Sequence, residues 1–199
     1  LLIDKYDLAD DTVFIATTEQ GSSFPHAKWT IYDAALHTGF IVRWPGEVDA
    51  GSTSDALIEY SDVVPTFVEI GGGKPDPVWD GKSLVPLLRG ERDSHKQYVF
   101  SEMTTKGIIN APDHFGIRSV RSLKFKYIWN FTPDVKFENV VTIPEDTKWG
   151  ESTVFKSWVR SGENDPDAAE KVLRYHYRPE EELYFVEEDY HEWYNLADN

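Results

Sequence analysis

Phe115-Gly116-Ile117-Arg118-Ser119-Val120-Arg121 and Phe125-Lys126-Tyr127-Ile128-Trp129 are two short β-rich runs separated by Ser122-Leu123-Lys124. Strand geometry puts Ile117, Ser119 and Arg121 on one face of the first run and Arg118 and Val120 on the other. Tyr98-Val99-Phe100 upstream and Leu183 to Val186 downstream read as two more strands. Between the third and fourth strands lie two apolar stripes at helical spacing: Val154, Phe155, Trp158 and Val159, then Ala168, Ala169, Val172 and Leu173. This half of the chain predicts a small antiparallel sheet with helices on one side.

Before Arg92 the pattern is α/β. Val13-Phe14-Ile15-Ala16 reads as a buried strand of a mainly parallel sheet. It ends in the polar Thr17-Thr18-Glu19-Gln20-Gly21, at the carboxyl end of a strand, where α/β sheets place their sites. Gly39 to Trp44 is a second run closing on the Pro45-Gly46 turn, and Ala34, Ala35 and Leu36 allow a short helix between the two. Asp62 is placed to cap a helix carrying Pro65 in its first turn and Val64, Phe67 and Val68 on its apolar side. Gly71-Gly72-Gly73 stops that helix. Ser83 can cap a last short helix through Leu84, Leu87 and Leu88, ending at Gly90.

The 199 residues carry 20 lysines and arginines against 35 aspartates and glutamates, a net charge of −15. That balance argues against a general nucleic-acid binder and against a surface held on anionic lipid, since both need a basic face. An anionic substrate would have to meet a local cationic pocket or a metal. No apolar run approaches the roughly 20 residues of a membrane span. With no cysteine, the chain can form no disulfide, thiolate zinc site or thiol nucleophile. It opens on Leu1-Leu2-Ile3 and closes on Asn195-Leu196-Ala197-Asp198-Asn199 inside what reads as a packed turn, the pattern expected of a piece of a longer protein.

Two segments carry chemistry. Glu19 beside Gln20 offers a carboxylate and a carboxamide, hard oxygen donors suited to calcium or magnesium; the same residues also read as a strand cap and a turn through Gly21. Lys28 lies in the turn-rich Phe24-Pro25-His26-Ala27-Lys28-Trp29-Thr30, which can fold back over the strand end. An ammonium there would gain about 4 kcal/mol of Coulomb attraction to an oxyanion at 4 Å and an effective dielectric near 20. The other reading is a lysine snorkelling beside Trp29.

Taken in order, Thr18 to Gly21, Lys28 to Tyr32 and Ile41 to Gly46 resemble the type I, formylglycine-dependent sulfatases of the alkaline phosphatase superfamily. The likeness continues through Asp62-Val63-Val64-Pro65-Thr66 and Asp80 to Leu88. It runs on through Gly116 to Arg121 with Lys126-Tyr127-Ile128, then Glu182-Leu183-Tyr184 with Glu192 and Asn195-Leu196-Ala197. Each piece alone is unspecific; the ordered set is not. Tyr175-His176-Tyr177 ahead of Glu182 is most similar to the branch containing N-sulfoglucosamine sulfohydrolase and bacterial polysaccharide sulfatases.

The resemblance implies an alkaline-phosphatase-like α/β sandwich, with residues 1–93 the carboxyl-terminal part of its large domain and 94–199 a four-stranded α+β subdomain. It implies hydrolysis of sulfate, ester or N-linked, from a sulfated sugar or polysaccharide, in the periplasm or outside the cell. It also implies a formylglycine nucleophile and a Ca2+ ion that neutralises the sulfate oxygens. By position, Glu19 and Gln20 would be two calcium ligands and Lys28 would touch the sulfate. The nucleophile is missing: Ser23-Phe24-Pro25-His26-Ala27 only mimics the motif, with Ala27 where its arginine belongs, so Ser23 reads as a turn residue. The formylglycine would belong to the amino-terminal half of the same enzyme, and this chain alone is expected to be inactive.

Glu19 and Gln20 are each one methylene longer than the aspartate and the asparagine or histidine usual there. His37, near a position often arginine in the family, either faces the substrate or hydrogen-bonds locally. In the loop from Glu102 to Phe115, His114 is the preferred substrate contact, oriented by Asp113; Thr104 and Lys106 are further candidates. Arg118 and Arg121 read as structural, paired with carboxylates. His95, His176 and His191 read as surface or packing residues, and the acidic runs 180–182 and 187–189 as solvated faces. Two other readings stay open: a phosphatase or phosphodiesterase of the same superfamily, and a non-catalytic protein that binds sulfated glycans.

Overall fold

The computed structural model describes residues 2–108, 111, 114–142 and 153–197. In chain order its elements are α1 (Leu2–Lys5), β1 (Phe14–Thr17), α2 (Asp33–Leu36), β2 (Phe40–Arg43) and a 3-10 turn at Tyr60–Asp62. There follow α3 (Val63–Ile70), α4 (Val85–Leu88), β3 (Val99–Thr104), β4 (Gly116–Arg121) and β5 (Phe125–Asn130). The last are α5 (Thr153–Gly162), α6 (Pro166–His176) and β6 (Glu181–Phe185). They fall into two compact units, one of Leu1–Thr18 with Gly39–Val99, the other of Glu19–Thr38 with Phe100–Asn199.

In the first unit β1 pairs with β2, Phe14 opposite Arg43 and Thr17 opposite Phe40. The pairing is antiparallel, which corrects the parallel, buried strand expected from Val13-Phe14-Ile15-Ala16. The chain between the strands returns to the end of β1 that it left. There Thr18 N–H donates to the Gly39 carbonyl at 3.1 Å, and Gly39 N–H donates to Thr18 Oγ1 at 3.0 Å. A parallel partner needs a crossover to the opposite end. Nor is the pair buried: Phe14 is 44% exposed and Ile41 68%.

The helices of this unit are joined by one buried carboxylate. Asp62 does not cap α3 with its side chain. Its backbone is already helical (φ −79°, ψ −15°), so the carboxylate cannot reach back over the first turn of α3. It instead accepts the N–H groups of Glu59 and Lys82, each at 2.8 Å, and pairs with Lys96 at 2.8 Å and His95 at 3.3 Å. Thr66 Oγ1 donates to the Asp62 carbonyl and accepts Leu84 N–H. Gly81 is required: a Cβ there would stand 1.8 Å from the Ser61 carbonyl oxygen. Ser83, expected to cap this helix, instead precedes the N-cap Leu84, and its Oγ accepts Val85 N–H at 3.2 Å. The Asp62 and Asp80-to-Leu88 segments are thus partners of one another.

The second unit holds the sheet that the sequence predicts, in the order β3-β4-β5-β6. β4 and β5 are antiparallel with Ser119 opposite Ile128, and β5 and β6 antiparallel with Tyr127 opposite Leu183. Ile117, Ile128 and Tyr184 point inward from the sheet and are fully buried with Phe115 and Phe137. Phe155 of α5 and Tyr175 of α6 close the same core. Each such side chain contributes about 1.5–3 kcal/mol of apolar burial. Asp165 caps α6 through Asp167 N–H, and Gly162 admits Ala169 of α6 at close range.

Candidate active-site segment

Four of the five candidate residues lie in Glu19–Thr38, within the second unit. Gly21 presses its backbone on α2: its N–H donates to the Ala35 carbonyl at 2.7 Å, and a Cβ would stand 2.0 Å from the Ala34 carbonyl oxygen. Glu19 and Gln20 are exposed just before this contact, and among the described residues no side chain engages theirs. The segment then doubles back, Lys28 N–H donating to the Ser22 carbonyl at 2.9 Å. Half-buried Lys28 carries its Nζ 5.2 Å from the centre of the Trp29 ring, the contact of a lysine snorkelling beside Trp29. His37 ends α2, donating its backbone N–H to the Asp33 carbonyl, with its side chain exposed.

His114 stands apart from that segment in the chain, exposed just before β4. Its carbonyl accepts Thr132 Oγ1 at 3.2 Å, and Asp113, proposed to orient it, lies outside the described residues. Thr104 and Lys106 are exposed. Among the described residues no group of three or more His, Cys, Asp and Glu could hold a metal by itself. Arg121 pairs with Asp33 at 2.8 Å and Arg118 with Glu102 at 3.2 Å, the structural roles expected of both.

A buried polar network, most of it unread in the sequence, anchors this segment. Lys126, with no exposed side-chain surface, pairs with Asp33 at 2.9 Å and Glu192 at 3.3 Å, while Glu192 Oε2 accepts Asp33 N–H. Burial pushes the Asp33 carboxyl up, but Lys126 and Arg121 outweigh it and hold it below its ordinary value. For Glu192 burial wins over the pull of Lys126, and its carboxyl is pushed up to about 7.

Glu182 corrects the solvated acidic run expected at 180–182. It is fully buried, accepting hydrogen bonds from Tyr32 at 2.8 Å, Asn130 at 2.7 Å and Tyr184. The signal was its period: Glu182 and Tyr184 are two apart on a strand and share its inner face. Asp189, in the second acidic run, accepts Trp193 N–H and Tyr194 N–H.

His26 sits flat between Tyr32 (4.0 Å, 22°) and Trp193 (4.4 Å, 14°). Its Nε2 lies 2.7 Å from the His191 carbonyl; a carbonyl only accepts, so that nitrogen carries the proton. Burial lowers its pKa to about 3 and keeps the ring neutral. A shallow pocket lies beside it, but its two cations are engaged, Lys171 by Asp167 and Arg174 by the Trp193 carbonyl and Tyr184.

Several pieces of the ordered motif set thus meet one another: Tyr32 and the adjacent Asp33 reach Glu182, Lys126 and Glu192, and Asn195 Oδ1 accepts Leu183 N–H at 2.8 Å. The chain belongs to the sulfatase family: residues 23–154 match the family described as N-sulphoglucosamine sulphohydrolase, C-terminal. Over its whole length it is 36% identical to an ulvan-active sulfatase of Formosa agariphila, of which it covers 35%. Over 86% of its length it is 24% identical to an N-acetylglucosamine-6-O-sulfatase of Bacteroides thetaiotaomicron, covering 34% of that protein. The chain therefore spans about a third of the length of these relatives.

Among solved structures, one in complex with its substrate D-glucosamine-2-N,6-O-disulfate aligns with 98% of this chain and 31% of its own, at a TM-score of 0.66 and 20% identity. A 2-O glycosaminoglycan sulfatase aligns with 96% of this chain and 32% of its own, at a TM-score of 0.59 and 20% identity. These two show a shared fold.

Proposed function

We propose that this chain is the carboxyl-terminal part of a sulfatase that hydrolyses sulfate from a sulfated sugar or polysaccharide. Residues 1–93 complete the α/β domain, 94–199 form a carboxyl-terminal subdomain, and the nucleophilic formylglycine comes from polypeptide outside this chain. The observation that carries the reading is the 36% identity to an ulvan-active sulfatase over the whole of this chain and 35% of that protein, together with the turn of Lys28 onto Ser22, just past Glu19 and Gln20.

Glu19 and Gln20 fit a calcium ion in donor chemistry, as two exposed hard oxygens on adjacent residues. They do not complete it, since calcium takes about 6–8 oxygens, so the remaining ligands come from elsewhere in the enzyme. Bound there, the ion would withdraw charge from sulfate oxygens. Lys28 offers its ammonium to a sulfate oxygen or to the leaving atom, where charge develops as the S–O or S–N bond breaks. His37 and His114, both exposed, are the side chains we assign to contact with the sugar. A polymeric substrate places the enzyme in the periplasm or outside the cell.

The test is sulfate release by the complete protein from ulvan oligosaccharides and glucosamine sulfates. Lys28→Ala is expected to lower kcat/KM at least about 100-fold, and Glu19→Gln to raise the calcium concentration needed for half activity. Turnover of phosphate esters in preference, dependent on zinc or manganese, would overturn the sulfatase reading.

A further inference from the structure

Lys28 sits between two residues that the chain holds in the left-handed region without glycine: His26 at φ +64° and Trp29 at φ +73°. Side chains rarely adopt that conformation, and it persists only where surrounding structure imposes it. The local bonds of the loop, Ala27 N–H to Phe24 and Thr30 N–H to Ala27, are ordinary turn bonds. The imposing contacts come from the far end of the chain. The His191 carbonyl accepts a hydrogen bond from His26 Nε2–H, Trp193 covers the His26 ring, and Glu182 and Glu192 hold Tyr32 and Asp33.

Trp193 is itself fixed. Asp189 accepts its N–H at 3.0 Å, and Arg174 donates to its carbonyl.

We propose that the turn 189–193 positions Lys28 for the sulfate, with His26 and Trp193 as positioning residues whose stacked rings set the left-handed turn from which the lysine projects. The inference rests on the role given to Lys28 above. His26 suits the task because its buried, neutral ring stacks on both faces and leaves one N–H for a single carbonyl. Displacement of the loop by an ångström would carry the amine out of reach of an oxyanion, an error that typically lowers rates about 100-fold.

The test is a double-mutant cycle on sulfate release by the complete enzyme. Trp193→Ala is expected to lower kcat/KM about tenfold or more, and Trp193→Phe, which keeps a ring over His26, to recover most of it. In a Lys28→Ala background, Trp193→Ala should change the residual rate less than about twofold, because no amine remains to be misplaced. Equal losses in both backgrounds would make Trp193 a support of the fold at large and overturn the proposal, as would an unchanged rate in the single variant. Should Trp193→Ala not fold, His26→Gln keeps an N–H donor without the stacked ring and runs through the same cycle with the same expectations. A Lys28→Ala enzyme with full activity removes both the role of Lys28 and this inference. Additive losses with Lys28→Ala still inactivating remove this inference alone.

Discussion

Asp62 of the first unit and Glu192 of the second are both completely buried carboxylates facing a nearly buried lysine, and their carboxyls shift in opposite directions. Burial would raise both. Asp62 overcomes it with His95, Lys96 and two backbone N–H groups, which together hold it well below the usual carboxylate range. Glu192 shares Lys126 with the negative Asp33, takes one backbone N–H, and leaves Oε1 without a well-aligned donor among the described residues. Lysine contact alone therefore does not keep a buried carboxylate charged. The number of donors per oxygen does.

Removing Lys126 should do the most damage, since it leaves Asp33 and Glu192 buried together without their shared cation. Lys126→Met is expected to cost about 3–5 kcal/mol in denaturant unfolding of the complete protein. A loss below about 1 kcal/mol would show that the two carboxyls share a proton instead. Asp62→Asn should cost about 2–4 kcal/mol, by removing one of the two carboxylates that Lys96 pairs with, the other being Glu59, and weakening two backbone hydrogen bonds.

The pH dependence separates the two sites. Glu192 has a folded-state value of about 7 against an ordinary 4.5, so its contribution is complete below about pH 4.5 and is lost as pH rises towards 7. Asp62, held below its ordinary value, contributes above about pH 4 and loses that only as pH falls further. Glu192→Gln should therefore flatten the stability curve between pH 5 and 7 by on the order of 2 kcal/mol, measured by unfolding midpoints across that range. An unchanged slope would mean that Glu192 is charged when buried. The smallest effect belongs to the exposed pair of Glu47 and Arg89, 2.6 Å apart with each side chain about 40% exposed. Glu47→Gln should move stability by no more than about 0.5 kcal/mol.

The fold was legible where one rule sufficed. Alternation found β4 and β5, and helical spacing found α5 and α6, because each buries one face against one core. The β1 strand misled because four apolar residues in a row carry no information about the direction of the neighbouring strand. Asp62 misled because capping chemistry and ion pairing use the same side chain, and only its backbone angles decide between them. Lys28, Glu19 and Gln20 could be picked out by residue type and order. The clamp behind them could not, since His26, Glu182 and Trp193 look like a turn, an acidic surface and an aromatic packing residue until residues more than 150 apart are brought together. Glu182 alone carried a local signal, its place two residues before Tyr184.

The bond from His26 to His191 spans 165 residues. At about 5–20 residues per second of synthesis, the Lys28 loop waits roughly 10–30 s after it is made before its clamp exists. Until then only the loop's own turn bonds support its left-handed residues. A premature stop between Lys28 and Trp193 would yield a chain that keeps the lysine and lacks the turn proposed to position it.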